Sequence, residues 1–164
     1  PTASLHFTKQ LLAKIKRAGI AIKFVTLHVN LGTFASLTDE QWQTGKLHRE
    51  QYVIDAKTAT FLNNSKKAGR PIIAVGTTVT RTLESASTSV GNLKKLRGAT
   101  DLFIKESDRL KFVDGLITNF HVPCSSLLML VAAFMGRKKL LELYASAIQK
   151  RLRLFSFGDG MLIL

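Results

Sequence analysis

The chain has 164 residues, 46% of them hydrophobic and 21% charged, which supplies one domain with a sizeable core and excludes a disordered segment. A formal net charge of +13 points to a polyanionic partner, with nucleic acid ahead of a membrane surface because no long basic amphipathic helix with aromatic anchors is visible. The single cysteine, Cys124, excludes an internal disulfide and, with no signal peptide in view, favours a reducing, cytoplasmic setting.

Pro1 to Phe7 forms a mostly uncharged lead-in. Thr8 is then placed to cap a helix whose Leu11, Ile15 and Ala18 make an apolar stripe opposite Lys9, Lys14, Lys16 and Arg17, and Gly19 should end it. Ile20 to Val29, rich in β-branched and aromatic residues, reads as a buried strand entering the loop Asn30-Leu31-Gly32-Thr33-Phe34. Ala35 to Glu50 is polar and weakly periodic, an excursion with no legible fold. Gln51 to Ile54 is a short strand. Asp55 then caps a helix reaching about Ala68, stopped by Gly69 and Pro71.

Ile72 to Val75 is the next strand, followed by Gly76 and a helix to about Ala86. Ser85 to Gly98, with Lys94, Lys95 and Arg97 among serines and glycines, reads as a mobile basic loop. Two more strands are expected at Asp101 to Ile104 and Phe112 to Thr118, around the charged turn Lys105 to Lys111. Ser125 caps an apolar helix from Ser126 to Met135, closed by Gly136, and its run from Leu127 to Met135 is far short of the ~20 residues of a membrane span. A helix from Arg137 to Arg153, the glycine turn Phe155 to Gly160 and a strand from Met161 to Leu164 complete the chain. Helices alternating with strands, without a visible linker or repeat, predict one α/β domain over residues 1–164. Its expected architecture is a three-layer α/β/α sandwich with a mostly parallel sheet.

Ligands of open α/β sheets gather at the loops after the strand ends, so four junctions compete as one site: His28 to Phe34, Gly76 to Glu84, Thr118 to Ser125 and Ser156 to Gly160. The stretch Ile73 to Glu84 allows two readings. A helix start exposes unpaired N–H groups and suits an anionic or nucleotide-like ligand. Alternatively, Thr77 or Thr78 merely caps the helix and Arg81 pairs with Glu84. The P-loop lysine, a GxGxxG following a strand and a GxSxG elbow are all missing. Four scattered histidines without paired cysteines or HExxH spacing predict no metal.

Several long motifs carry more than local chemistry: Pro1 to Thr8, Phe24 to Val29, Leu31 to Phe34, Ala74 to Glu84, Leu116 to Val131 and Phe155 to Ile163. In this order they closely resemble the S-adenosylmethionine:tRNA ribosyltransferase-isomerases of queuosine biosynthesis, over their carboxyl-terminal half. The resemblance implies an upstream portion with an inserted β-barrel, and low or no activity for this chain alone. The composition is that of a soluble globular protein, with a monomer favoured. The enzyme that the resemblance implies would move the ribosyl group of S-adenosylmethionine to 7-aminomethyl-7-deazaguanine in a tRNA anticodon. Adenine and methionine leave, and no metal takes part.

Within the matching motifs, His6, His28, His48, Glu84, His121 and Asp159 are the candidates for proton transfer. Thr33, Gly76, Thr77, Thr78, Arg81 and Asn119 are the candidates for holding the methionine carboxylate and the ribose. Some positions depart from the family pattern: Ser4 and Asn30 stand for glycines, Gly45 for a histidine, Cys124 for a lysine and Phe157 for a tyrosine, and Lys105 to Asp108 replace a tyrosine-proline-glycine turn. A second reading, a noncatalytic basic RNA-binding module on the same fold, draws on the charge and on these departures.

Overall fold

A computed structural model describes residues 1–29 and 37–164. Thr33 and the rest of its loop lie outside the described residues. After a 3-10 turn at Thr2–His6, Thr8 caps α1 (Lys9–Arg17), its hydroxyl accepting the Leu11 N–H at 3.2 Å. The expected buried strand that follows is only Thr26–His28 (β1), and Ile20 and Phe24 remain 58% and 78% exposed. β1 is the edge of its sheet, and of this apolar stretch Val25 and Leu27 pack against the core while Ile20 and Phe24 lie outside the strand.

The polar excursion resolves into structure. A reciprocal capping box, with Thr38 Oγ1 accepting the Gln41 N–H at 3.2 Å and Gln41 Oε1 accepting the Thr38 N–H at 3.0 Å, starts α2 (Asp39–Thr44). Gly45 ends it in the left-handed region at φ +66° and turns the chain into β2 (Lys46–Val53). Asp55 caps α3 (Ala56–Lys67), and β3 (Ile73–Val75) leads through Gly76 into α4 (Thr77–Ala86). The predicted basic loop is instead a small hairpin of β4 (Ser87–Ser89) and β5 (Asn92–Leu93), followed by β6 (Arg97–Leu102). Then come β7 (Gly115–Asn119), α5 (Ser126–Met135), α6 (Arg137–Gln149) and β8 (Gly160–Ile163).

The strands form a sheet β1-β2-β6, a sheet β3-β7-β8 and the β4-β5 hairpin. Among the described residues only β3 and β7 pair in parallel; the β1-β2, β2-β6, β4-β5 and β7-β8 ladders are antiparallel. The mixed α/β class therefore stands, and the mostly parallel sandwich is corrected. Alternation of helices with strands suits a series of crossovers, but β8 returns through a tight turn to lie antiparallel on β7, register Leu116 to Ile163. Between the elements Ile54, Leu83, Phe112, Leu116, Phe120, Leu130, Val131 and Leu140 are almost wholly buried, each contributing roughly 1.5–3 kcal/mol of transfer free energy.

Two buried charged groups set the pose of α4. The Arg81 guanidinium pairs with Glu50 on β2 and donates through Nε to the Leu102 carbonyl on β6 at 3.3 Å. Glu84 accepts the N–H groups of Lys111, Phe112 and Val113 at 2.7, 3.0 and 2.9 Å, fastening the segment before β7. No helix among the described residues is long and apolar enough to cross a membrane.

Candidate functional site

The parallel ends of β3 and β7 and the turn before β8 converge on one cavity of about 290 Å³, near the lower limit of ordinary ligand pockets. Its walls come from Pro1 to Ala3, Gly76 to Thr78, Thr118 to Val122, Ser125, Leu127, Phe155 and Ser156. Gly76 makes the β3 to α4 junction possible. Its N–H donates to Ile117 O at 2.8 Å and its φ is +94°. A Cβ there would lie 2.5 Å from Pro1 Cβ, so only glycine fits. Among the described residues no side chain caps α4, leaving its first turn facing the cavity with the positive end of the helix dipole. Neither Thr77 nor Thr78 is that cap. Thr78 Oγ1 is buried at this wall without a hydrogen-bond partner.

Asn119, at the end of β7, is buried and joins three segments: its Nδ2 donates to Gly158 O at 3.1 Å, and its Oδ1 accepts from Thr2 Oγ1 at 3.1 Å. His121 follows two residues later, with Nε2 2.9 Å from Thr118 Oγ1. Its backbone N–H donates to the Tyr144 hydroxyl at 2.7 Å, which in turn donates to its carbonyl at 3.2 Å. Burial pushes the imidazole down to about 4, so it is neutral at pH 7 and can exchange hydrogen bonds in either sense.

The other expected site residues lie elsewhere. His6 packs its ring 3.5 Å from the position a Gly160 Cβ would take, and Asp159 nearby accepts the Arg153 N–H at 2.7 Å and the Arg153 guanidinium at 3.1 Å. Those hydrogen bonds, backbone first, hold the Asp159 carboxyl below its ordinary range. Neither lines the cavity. His28 and His48 are exposed on β1 and β2 of the other sheet. Arg81 and Glu84 are turned inward and occupied by the protein's own groups, and Arg81 does not pair with Glu84. Among the described residues no group of three or more histidine, cysteine, aspartate or glutamate side chains is placed to hold a metal ion.

The structure thus brings together Gly76, Thr77, Thr78, Asn119 and His121 and leaves the remaining described candidates outside. Reasoning on chemistry missed the apolar walls, Phe120, Val122, Leu127 and Phe155, and the hydroxyl of Tyr144 that fixes the His121 backbone. The junctions that contain the walls were visible in the sequence. Their individual apolar residues carry no chemical signature distinct from core.

A helix start, a strand-end asparagine and a neutral histidine thus meet around one partly apolar cavity in a mixed α/β fold. Its residues 1–163 match the family described as queuosine biosynthesis protein, and the chain belongs to that family. It is 47% identical over its whole length to an S-adenosylmethionine:tRNA ribosyltransferase-isomerase of Thermoanaerobacter sp. (strain X514), and 50% identical to that of Halothermothrix orenii; each alignment covers 48% of the relative. The crystal structure of an S-adenosylmethionine tRNA ribosyltransferase from Thermotoga maritima superposes with a TM-score of 0.81 at 42% identity, over 99% of this chain and 51% of that one. The chain therefore spans about half the length of these relatives.

Proposed function

We propose that the chain is the carboxyl-terminal part of an S-adenosylmethionine:tRNA ribosyltransferase-isomerase and that the cavity holds part of the ribosyl donor. The support is the convergence of Gly76 to Thr78, Asn119 and His121 on one pocket inside a chain of this family. The unpartnered Thr78 hydroxyl and the α4 N–H groups suit ribose hydroxyls or a carboxylate. The aromatic and aliphatic walls suit the flat, apolar parts of a nucleoside.

In the proposed reaction a base removes a proton from the carbon beside the sulfonium, whose positive sulfur stabilises the carbanion, and the aminomethyl nitrogen of the tRNA base takes up the ribosyl group. Adenine and methionine depart, giving the epoxide-bearing product. His121 is the proton-transfer candidate at the cavity. The burial that keeps it neutral also makes it a weak base, so proton removal depends on the acidity conferred by the sulfonium. The rest of the relatives' length would complete the donor and tRNA sites, and this chain alone should turn over slowly or not at all.

Calorimetric titration with S-adenosylmethionine tests the reading. Saturable binding is expected, weakened at least about tenfold in Asn119→Ala and in Thr78→Val, since each removes a polar group at the cavity. Equal affinity in wild type and both variants, or no saturable binding, would sink it. A noncatalytic RNA-binding role draws on the +13 charge and predicts salt-sensitive tRNA binding with no affinity for S-adenosylmethionine.

A further inference from the structure

Among the described residues four non-glycine positions have positive φ: Cys124, Arg151, Phe155 and Phe157, at +54°, +56°, +68° and +64°. All four lie in two segments that border the cavity, the loop after β7 and the stretch between α6 and β8. Bulky side chains rarely adopt this backbone, and strain of this kind persists only where the surroundings enforce it. Here they do. The Phe155 N–H donates to Phe120 O at 3.0 Å, Gly158 N–H to Phe155 O at 3.0 Å and Asp159 N–H to Arg153 O at 2.7 Å, while Asn119 holds Gly158 O from below.

The enforced turn turns two aromatic rings outward. Phe155 is 44% exposed at the cavity wall, and Phe157, two residues on, is 77% exposed. Exposed cations precede them: Lys150, Arg151 and Arg153, of which Arg153 is tied to Asp159. A single exposed apolar residue is ordinary. Two aromatics fixed on strained backbone, beside a cavity and behind a run of cations, are not explained by core packing.

We propose that Phe157, with Phe155 beside it, is a stacking platform for an unpaired base of an RNA strand, and that Lys150 and Arg151 hold the neighbouring phosphates. The proposal rests on the reading of the chain as part of a tRNA-modifying enzyme and adds to it where the acceptor strand would lie. Base stacking on aromatic rings flanked by cations is how proteins grip unpaired nucleotides, and a platform fixed in advance avoids the entropy of ordering a loop. RNA is favoured over a protein partner by charge complementarity with the flanking cations and with the +13 chain.

The test uses the chain and an anticodon stem-loop RNA carrying 2-aminopurine in its loop, followed by anisotropy and by quenching of the reporter base. Wild type should bind and quench. Phe157→Ala should weaken binding about tenfold and abolish quenching with the salt dependence unchanged, and Phe157→Trp should restore both. Lys150→Ala should instead lower the salt slope by about one, with quenching at saturation retained. A wild-type chain that neither binds nor quenches, or Phe157→Ala with wild-type affinity and quenching, overturns the platform. Thermal unfolding of Phe157→Ala excludes misfolding, and the tryptophan rescue separates stacking from a structural role. Calorimetry with S-adenosylmethionine on the wild type runs alongside: a stacked RNA with no donor binding leaves the platform standing and removes the donor assignment.

Discussion

Arg81 on α4 and Glu50 on β2 form an ion pair whose side chains are 3% and 0% exposed, joining the helix that starts at the cavity to the neighbouring sheet. Arg81 Nε also binds Leu102 O, while its Nη2 is buried without a partner. Removing one member of a buried pair leaves the other desolvated, which typically costs about 3–5 kcal/mol. Arg81→Ala and Glu50→Gln should each lower the urea midpoint strongly, and the double variant Arg81→Met with Glu50→Leu should lose less than either. Urea unfolding at pH 7 measures this. Loss of ligand binding in Arg81→Ala without loss of stability would return Arg81 to the role of ligand contact.

Glu84 reaches the backbone before β7 from the far end of the same helix. One carboxylate oxygen accepts from Phe112 and Val113 and the other from Lys111, so the carboxylate fastens the segment entering the strand that carries Asn119 and His121. In Glu84→Gln the amide nitrogen would face the Lys111 N–H, donor against donor, and about 1–3 kcal/mol should be lost. Hydrogen exchange should localise the effect, with Lys111 losing protection while Phe112 and Val113 keep theirs. Equal protection at all three amides would show that Glu84 does not anchor this segment.

Much of this was legible from local rules. Thr8, Asp55 and Ser125 cap helices where their positions require, because a cap depends on a few consecutive residues. The three junctions that meet at the cavity were also visible, as turns after apolar runs. Pairing was not. Whether β8 lies parallel or antiparallel on β7 depends on partners over forty residues apart in sequence, and nothing in Met161 to Leu164 encodes it. The same limit explains Arg81 and Glu84: three residues apart, they look like a helical pair, yet each takes a partner from a distant segment. Family membership followed where long motifs could be matched as wholes, whereas the aim of single side chains such as Arg81 did not.

The His121 imidazole gives the fold a pH dependence with a definite sign. Its pKa falls from an ordinary 6.5 to about 4 on folding, because burial disfavours the cation. Between these values the unfolded chain binds the proton and the folded chain does not. Its contribution is therefore complete above about pH 6.5 and is lost as pH falls through about 4, amounting at most to roughly 3 kcal/mol. Wild type should lose stability between pH 7 and pH 4.5 more steeply than His121→Gln, measured as urea midpoints at both values. Identical slopes would mean that His121 titrates alike in both states.

The contact between Asn119 and Gly158 couples the β7 end to the strained turn. A Cβ on Gly158 would lie 2.5 Å from both Arg153 O and Leu154 O, backbone atoms that cannot swing aside as a side chain can. Gly158→Ala must therefore open the turn. Opening removes the Asn119 Nδ2 to Gly158 O bond and leaves a buried amide unsatisfied, so about 1–3 kcal/mol should be lost beyond the steric cost. Asn119→Ala removes the same bond from the other side. If the two positions act through that bond, the double variant should lose less than the sum of the single losses. Additive losses in urea unfolding would mean that the turn is held by its backbone hydrogen bonds alone and that Asn119 acts only at the cavity wall.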